Sequence, residues 1–549
     1  PPSVPDEPLH VDALAAVDTA ANKREAGLSL DLPLGSAVAV HFDGSYRNTD
    51  DLEVPGFVAS DSLRAGLFAD ADEEEEEGHL DEAEELRKAA NIADVLPNSW
   101  TESYSLGTGI SFFSGNSSIG ASLDYLDNSY GVPGLPGIGH VHGEDSSEGE
   151  EDHGEEAVSI GMDRLRLALQ GTLDLGDGFF DEVTTRWAYS DYTHTEFEGD
   201  EIGTVFDVEG VEGRVELAQT RRGGWQGSWG AQFSYVDFGA TGDEAFVPPS
   251  STQSMALFAL QEVDLDPVQL EFGARYEHTD IKVTQATGPQ RNFSSLSAAA
   301  GISTILLENP LDDLRLGINL SRAERAPSAQ ELFADGPHIA TQVFEIGNPD
   351  LGTEGSWGVE AYLRGAIGPA KINASIYRNR FDGFIFLSDT GDVEDGLEVF
   401  EFLQQDANQF GIEAELTAPL VETEGFALLG ELRGDYVRAT LNDGSPIPRI
   451  PPLSLSAALE GKFAHFDARA EVEWFASQDR VSAHELPTDG FTFVNLSLAW
   501  HPFEGEENLT LIAQVDNLFD AEGRRHTSFT KEFVPLSGRN FKLSARASF

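Results

Sequence analysis

The sequence contains no cysteine. That excludes disulfide frameworks, cysteine-bound zinc and a cysteine nucleophile. Basic residues are scarce: 34 Lys and Arg stand against 96 Asp and Glu, for a formal net charge of −62. Such a chain cannot neutralise phosphates, so nucleic acid is excluded as a partner. Clefts lined by one sign of charge concentrate counter-ions, here cations. The plainer role for most of this charge is to keep acidic loops solvated and to oppose self-association. Long apolar runs are also missing. Without about 18 consecutive apolar residues, no transmembrane helix is expected. Pro1-Pro2-Ser3-Val4-Pro5 has neither a charged nor an apolar signal region, so no signal peptide is expected in this chain. There is no Gly-x-Ser-x-Gly elbow, no phosphate-binding loop and no His-Glu-x-x-His. No enzyme activity and no resident cofactor are expected.

What the sequence does have is alternation with a period of two, the mark of a strand with two different faces. Leu314, Leu316, Ile318 and Leu320 alternate with Arg315, Gly317, Asn319 and Ser321. Phe410, Ile412, Ala414 and Leu416 alternate with Gly411, Glu413, Glu415 and Thr417. The last residues repeat the pattern, with Phe541, Leu543, Ala545, Ala547 and Phe549 against Lys542, Ser544, Arg546 and Ser548. Such segments recur along the chain between Gly-, Pro-, Asn- and Asp-rich turns. Many reach about ten residues, the length that crosses a bilayer at a tilt. Short and long connections are mixed, and aromatics such as Trp474, Phe475, Trp500, Phe519 and Phe549 sit near segment ends. These features predict an all-β fold, a large antiparallel transmembrane barrel with long extracellular loops.

Two insertions interrupt the pattern. Residues 61–97 carry the acidic run Glu73–Glu77, and Leu80, Ala83, Leu86, Ala89 and Ala90 fall at helical spacing, which predicts one short helix. Residues 131–157 are rich in Gly, Glu and His without periodicity, and a disordered or ligand-ordered loop is expected there. This second insertion holds His140, His142, Glu144, Asp145, Asp152 and His153, and the first adds His79. Imidazoles among carboxylates on a bendable loop suit zinc, copper or nickel. A merely solvated acidic loop explains the same residues, and the spacing does not decide between the two readings. His338 and Glu345, with Asp335 nearby, form a candidate second ligand group. His194 and His278 lie at strand ends and read as rim residues, and His526 reads as structural. Glu413, Glu415, Glu431, Arg433, Asp435 and Arg275 occupy polar faces, where wall-bracing ion pairs are expected.

Val515-Asp516-Asn517-Leu518-Phe519-Asp520, followed by Pro535-Leu536-Ser537-Gly538-Arg539-Asn540-Phe541, resembles the final strands of TonB-dependent receptors. Arg322 to Phe333, then Glu345 to Leu351 and Glu354, resembles a mid-barrel block of the same family, and the terminal Phe549 resembles the assembly signal of outer-membrane proteins. The resemblance runs from about Val11 to Phe549. It implies a 22-stranded barrel in the bacterial outer membrane, contacting its lipid, that takes up a scarce nutrient. Histidine- and acid-rich loops resemble those of zinc-uptake members, which implies a metal ion or small metal complex as cargo. A siderophore, cobalamin or saccharide receptor, or a passive pore or adhesin, remains the alternative. No plug or TonB box is expected before the first strand in this chain. The chain is therefore expected to be barrel throughout, residues 1–549, reaching TonB only through a plug it lacks.

Overall fold

The computed structural model describes residues 9–134, 157–242, 245–285, 287–309, 312–338, 341–394, 396–503 and 508–549. The chain opens with β1 (His10–Asp18), β2 (Arg24–Pro33) and β3 (Val38–Thr49). A rim excursion follows: β4 (Leu52–Phe57), α1 (Asp61–Glu77), α2 (Leu80–Ala89) and β5 (Ala93–Leu96). The wall resumes with β6 (Thr101–Ser114), β7 (Ser117–Gly131) and β8 (Val158–Asp174), and continues to a last strand at Asn540–Ser548. Each wall strand pairs antiparallel with its neighbours, and the last pairs with β1, so 22 strands close on themselves. At the seam, Phe549 and Val11 exchange both backbone hydrogen bonds, at 2.8 and 2.9 Å.

Closure follows from the alternation. The apolar residues point outward and remain exposed: Leu316 38%, Ile318 49%, Leu320 52% and Leu543 57%. A soluble protein would bury such a belt, whereas a barrel turns it toward lipid. The alternate residues point into the lumen and brace one another as expected. Arg433 lies 3.4 Å from both Glu415 and Glu431, and Arg469 lies 2.8 Å from Glu431. Aromatic pairs stack at strand ends, Phe466 on Trp500 at one margin and Phe475 on Phe491 at the other, where amphipathic rings suit the interface.

Antiparallel order sorts the connections. Tight turns such as Gly115-Asn116, Gly223-Gly224 and Gly368-Pro369 lie at one rim, together with the start of β1 and the end of the last strand. The long connections 50–100, 326–353, 476–490 and 517–539 lie at the other, as do the end of β7 and the start of β8. The first of these corrects the expectation of one helix. The acidic run itself is helical, so two helices form a hairpin. Ser60 caps α1 by accepting from the Leu63 N–H at 3.2 Å, and Gly78 ends it with φ 96°. The insertion expected between β7 and β8 falls largely on residues 135–156, outside the described residues.

The seam depends on one side chain. Asn540, 7% exposed, accepts from the Thr19 and Ala20 N–H groups through Oδ1, each at 3.1 Å. Asn540→Ala leaves the buried Ala20 N–H without its acceptor and should destabilise the barrel by about 1–3 kcal/mol. Chemical unfolding in detergent measures this, and an unchanged midpoint would show the seam holds without the amide.

Candidate metal-binding site

Gly78 sets the geometry of the rim site. Its left-handed backbone reverses the chain after α1, in a region that glycine enters without a Cβ penalty. The reversal swings His79 back against the last turn of α1. His79 Nδ1 lies 2.7 Å from Glu74 Oε2 and 3.9 Å from Glu82 Oε2. Glu74, Glu77 and His79 can each present one donor atom with all three inside a 4.8 Å span. Arg87 does not neutralise this group. It is committed to Asp72 at 2.9 Å and to Glu75, and so ties the two helices together. The hydrogen bond that Glu74 accepts from the ring, then the charge of Glu82, raises the His79 pKa above its ordinary value.

The hairpin is anchored at its base. Arg64 stacks 3.4 Å from the Phe57 ring centroid and donates to Ala90 O at 2.8 Å. Arg524, from the connection 517–539, donates to Val58 O at 2.9 Å, and Ser60 N–H donates to Glu532 O at 2.7 Å. The three donors therefore stand on an exposed but braced element at the long-loop rim.

His338 and Glu345 also meet. They lie on two short strands, Asp335–His338 and Val343–Ile346, paired as a hairpin. His338 Nδ1 is 2.7 Å from Glu345 Oε1, and the His338 ring stacks on Phe246 at 4.4 Å. Glu345 is 2% exposed, and its other oxygen accepts from Gln330 Nε2 at 2.7 Å. Asp335 stays exposed and its strand position is opposite Ile346, so it does not join them. His140, His142, Glu144, Asp145, Asp152 and His153 lie outside the described residues. The strands flanking them, β7 and β8, end and begin at the rim that carries α1 and α2.

The remaining histidines separate clearly. His194 contacts Glu196 at 3.4 Å and Tyr192 at 3.2 Å, and His278 contacts Asp280 at 3.4 Å. His526 is enclosed, with Thr488 Oγ1 at 2.8 Å and Glu485 Oε1 at 3.2 Å, and so joins the connections 476–490 and 517–539. Glu485 escaped sequence reasoning because nothing local marks it. Burial alone would raise its pKa, but hydrogen bonds from His526 and from the Ser482 and Arg449 N–H groups hold it at about 2. A second structural clasp explains the mid-barrel block. Ser328 and Glu331 form a capping box on α3 (Ala329–Phe333), and Arg325 binds Glu331 at 2.9 Å and Glu354 at 3.2 Å.

The family model described as TonB dependent receptor-like, beta-barrel matches residues 92–518. The solved copper transporter OprC is similar, with a TM-score of 0.77 and 16% identity, over 98% of this chain and 82% of that one. The FrpB iron transporter from Neisseria meningitidis (F5-1 variant) gives 0.72 and 13%, over 99% and 83%. The siderophore receptor PirA from Pseudomonas aeruginosa gives 0.65 and 15%, over 99% and 81%.

The Glu485 carboxylate makes the rim acid-sensitive in a defined window. A depressed folded-state pKa stabilises fully above the ordinary value and is lost as pH falls through the folded one. The clasp should therefore hold above pH 4.5 and loosen toward about 2. Glu485→Gln should be less stable above that window and flat within it. Hydrogen exchange of residues 476–490 and 517–539 across pH reads this directly, and equal profiles for both proteins would contradict it.

Proposed function

The chain belongs to the TonB-dependent receptor β-barrel family, and from that premise we propose that this outer-membrane transporter imports a scarce metal ion, zinc foremost. The family assignment makes it a transporter rather than an enzyme. Recognition then consists of binding at the outer rim and gated passage through the lumen, without covalent chemistry. The observation that supports metal as the cargo is the convergence of His79 with Glu74 and Glu77 on the α1–α2 hairpin.

The donor types fit this reading. One neutral imidazole and two carboxylates suit zinc, nickel or copper, and a bare site of this kind favours copper by intrinsic affinity. The hairpin presents them outward, where an excess of acid draws cations in. His140, His142 and His153 would extend the donor set from the neighbouring connection. His338, half-buried against Glu345, supplies a further imidazole deeper in the rim. Passage across the wall would be coupled through a plug and TonB, as in the family.

Protons compete with metal for His79. Because its pKa is raised, the imidazolium forms at a higher pH than in a free histidine. Zinc affinity here should therefore begin to fall, on acidification, above the usual imidazole range. Calorimetric titration of zinc into the detergent-refolded chain should show a rim site, and His79→Ala with Glu74→Gln should weaken it by about tenfold or more. If neither this pair nor His140, His142 and His153→Ala alters zinc binding, the metal reading fails. An organic ligand such as a siderophore would then be the cargo to seek.

A further inference from the structure

The outward face of the wall carries a charge pattern of its own, which the contents of the lumen do not touch. On the strand Phe426–Leu441 the outward positions from Phe426 to Tyr436 hold no charge, and Leu432 and Tyr436 are exposed there. At about 3.4 Å per residue and a tilt near 45°, that stretch is roughly 24 Å tall, the height of a lipid-facing band. Arg438 is the next outward position, on the side of the long connections. The strand Ala370–Glu394 repeats the pattern: Ile372, Ala374 and Ile376 face out, and Arg378 and Arg380 follow. Between these two strands Phe410 lies directly opposite both Arg378 and Arg438, so the three share one face. The strand Asp312–Arg325 adds Arg322 after Leu316, Ile318 and Leu320. Trp357 lies directly opposite both Arg322 and Arg380.

Most of these arginines lack a counter-charge. Arg322 is satisfied by Glu324 at 2.8 Å and Asp382 at 3.1 Å. Arg380 reaches only the same Asp382, at 3.8 Å, and its side chain stays 65% exposed. Arg378 and Arg438 are exposed, and among the described residues neither has a carboxylate within ion-pair distance. Arg480, from the connection 476–490, donates to the carbonyl of Ala439 at 3.0 Å. That places it beside Arg438, where the two like charges oppose each other. Four guanidiniums thus stand together in a chain of net charge −62. Elsewhere on the outward face the same level is acidic. β7 and β8 place Asp127 and Asp163 there, directly opposite each other. The strands Phe180–Glu198, Glu201–Arg222 and Trp225–Gly242 place Asp191, Glu209 and Asp237 there in one row.

We propose that Arg378, Arg380, Arg438 and Arg480 bind the phosphate-bearing head group of a lipid in the outer leaflet. Guanidinium forks match phosphate oxygens two bonds at a time, and an arginine stem can lie along apolar surface while its head reaches the interface. Neighbouring strands are about 4.8 Å apart, so Arg378 and Arg438 have Cα atoms roughly 10 Å apart. From that spacing their side chains can close on one phosphate above Phe410. The acyl chains of the same lipid would run down the band below, against Ile376, Phe410, Ile412 and Tyr436, which all face out and are exposed. Head group and chains therefore meet one continuous surface. The acidic rows on β7 and β8 and the strands after them repel an anionic lipid, which leaves the arginine side as the one such a lipid selects. The site does not depend on which cargo the barrel carries.

Native mass spectrometry of the detergent-refolded chain tests this, with lipid A, a glucosamine disaccharide lipid bearing two phosphates, as the probe. A one-to-one adduct should form with the parent chain. Arg378→Gln, Arg380→Gln and Arg438→Gln together should weaken it by roughly tenfold or more. These side chains are exposed and brace nothing, so the variant should fold, and heat-modifiable migration on gels verifies that it does. Arg221→Gln, Lys371→Gln and Lys462→Gln remove the same charge at the tight-turn rim and should leave the adduct unchanged. Dephosphorylated lipid A should bind at least roughly tenfold more weakly, and millimolar inorganic phosphate should not displace the intact lipid. The proposal is overturned if no adduct forms, or if the arginine variant binds like the parent. It is equally overturned if the control set weakens binding as much, or if the dephosphorylated lipid binds as well. Displacement by inorganic phosphate would make the patch a site for free anions and would also overturn it.

Discussion

The bilayer offers no partner to a backbone N–H, and this one constraint organises the protein. Every strand must be paired on both edges, which in lipid means a closed wall. The mutual hydrogen bonds of Val11 and Phe549 complete that wall. Closure with an even number of strands then places both ends of the wall at one rim, with the tight turns. All the long connections are left to the other rim. The clustering of His79, His338 and His526 at one end of the molecule is thus a consequence of strand parity.

The fold was legible because a lipid-facing wall writes itself into the sequence at a period of two. Leu314 to Ser321 needed no partner to be read as a strand with an apolar face, and the terminal alternation ending at Phe549 marked the seam. His338 and Glu345 were singled out together with Asp335, whereas the hairpin that pairs the first two and leaves Asp335 aside is a matter of strand register. The first helix of the rim hairpin, α1, was missed for a physical reason. Glu73–Glu77 repel one another and lack an apolar stripe, so the pattern hides a helix whose stability comes from the Ser60 cap, the Arg87 bridges and the contact with α2. The partners of His79 were hidden too, because the Gly78 reversal is a matter of backbone angle.

Charge distribution gives the rim and the lumen a common character. With 34 basic residues for 96 acidic ones, most carboxylates cannot have a cation of their own. Arginines brace the wall and its loops, as Arg469 on Glu431, Arg325 on Glu331 and Glu354, and Arg87 on Asp72 and Glu75. The histidine-bearing groups fall outside these braces. Around His79 and around His41, carboxylates face imidazoles instead of guanidiniums. An imidazole can give up its proton for a metal near neutral pH, while a guanidinium never can.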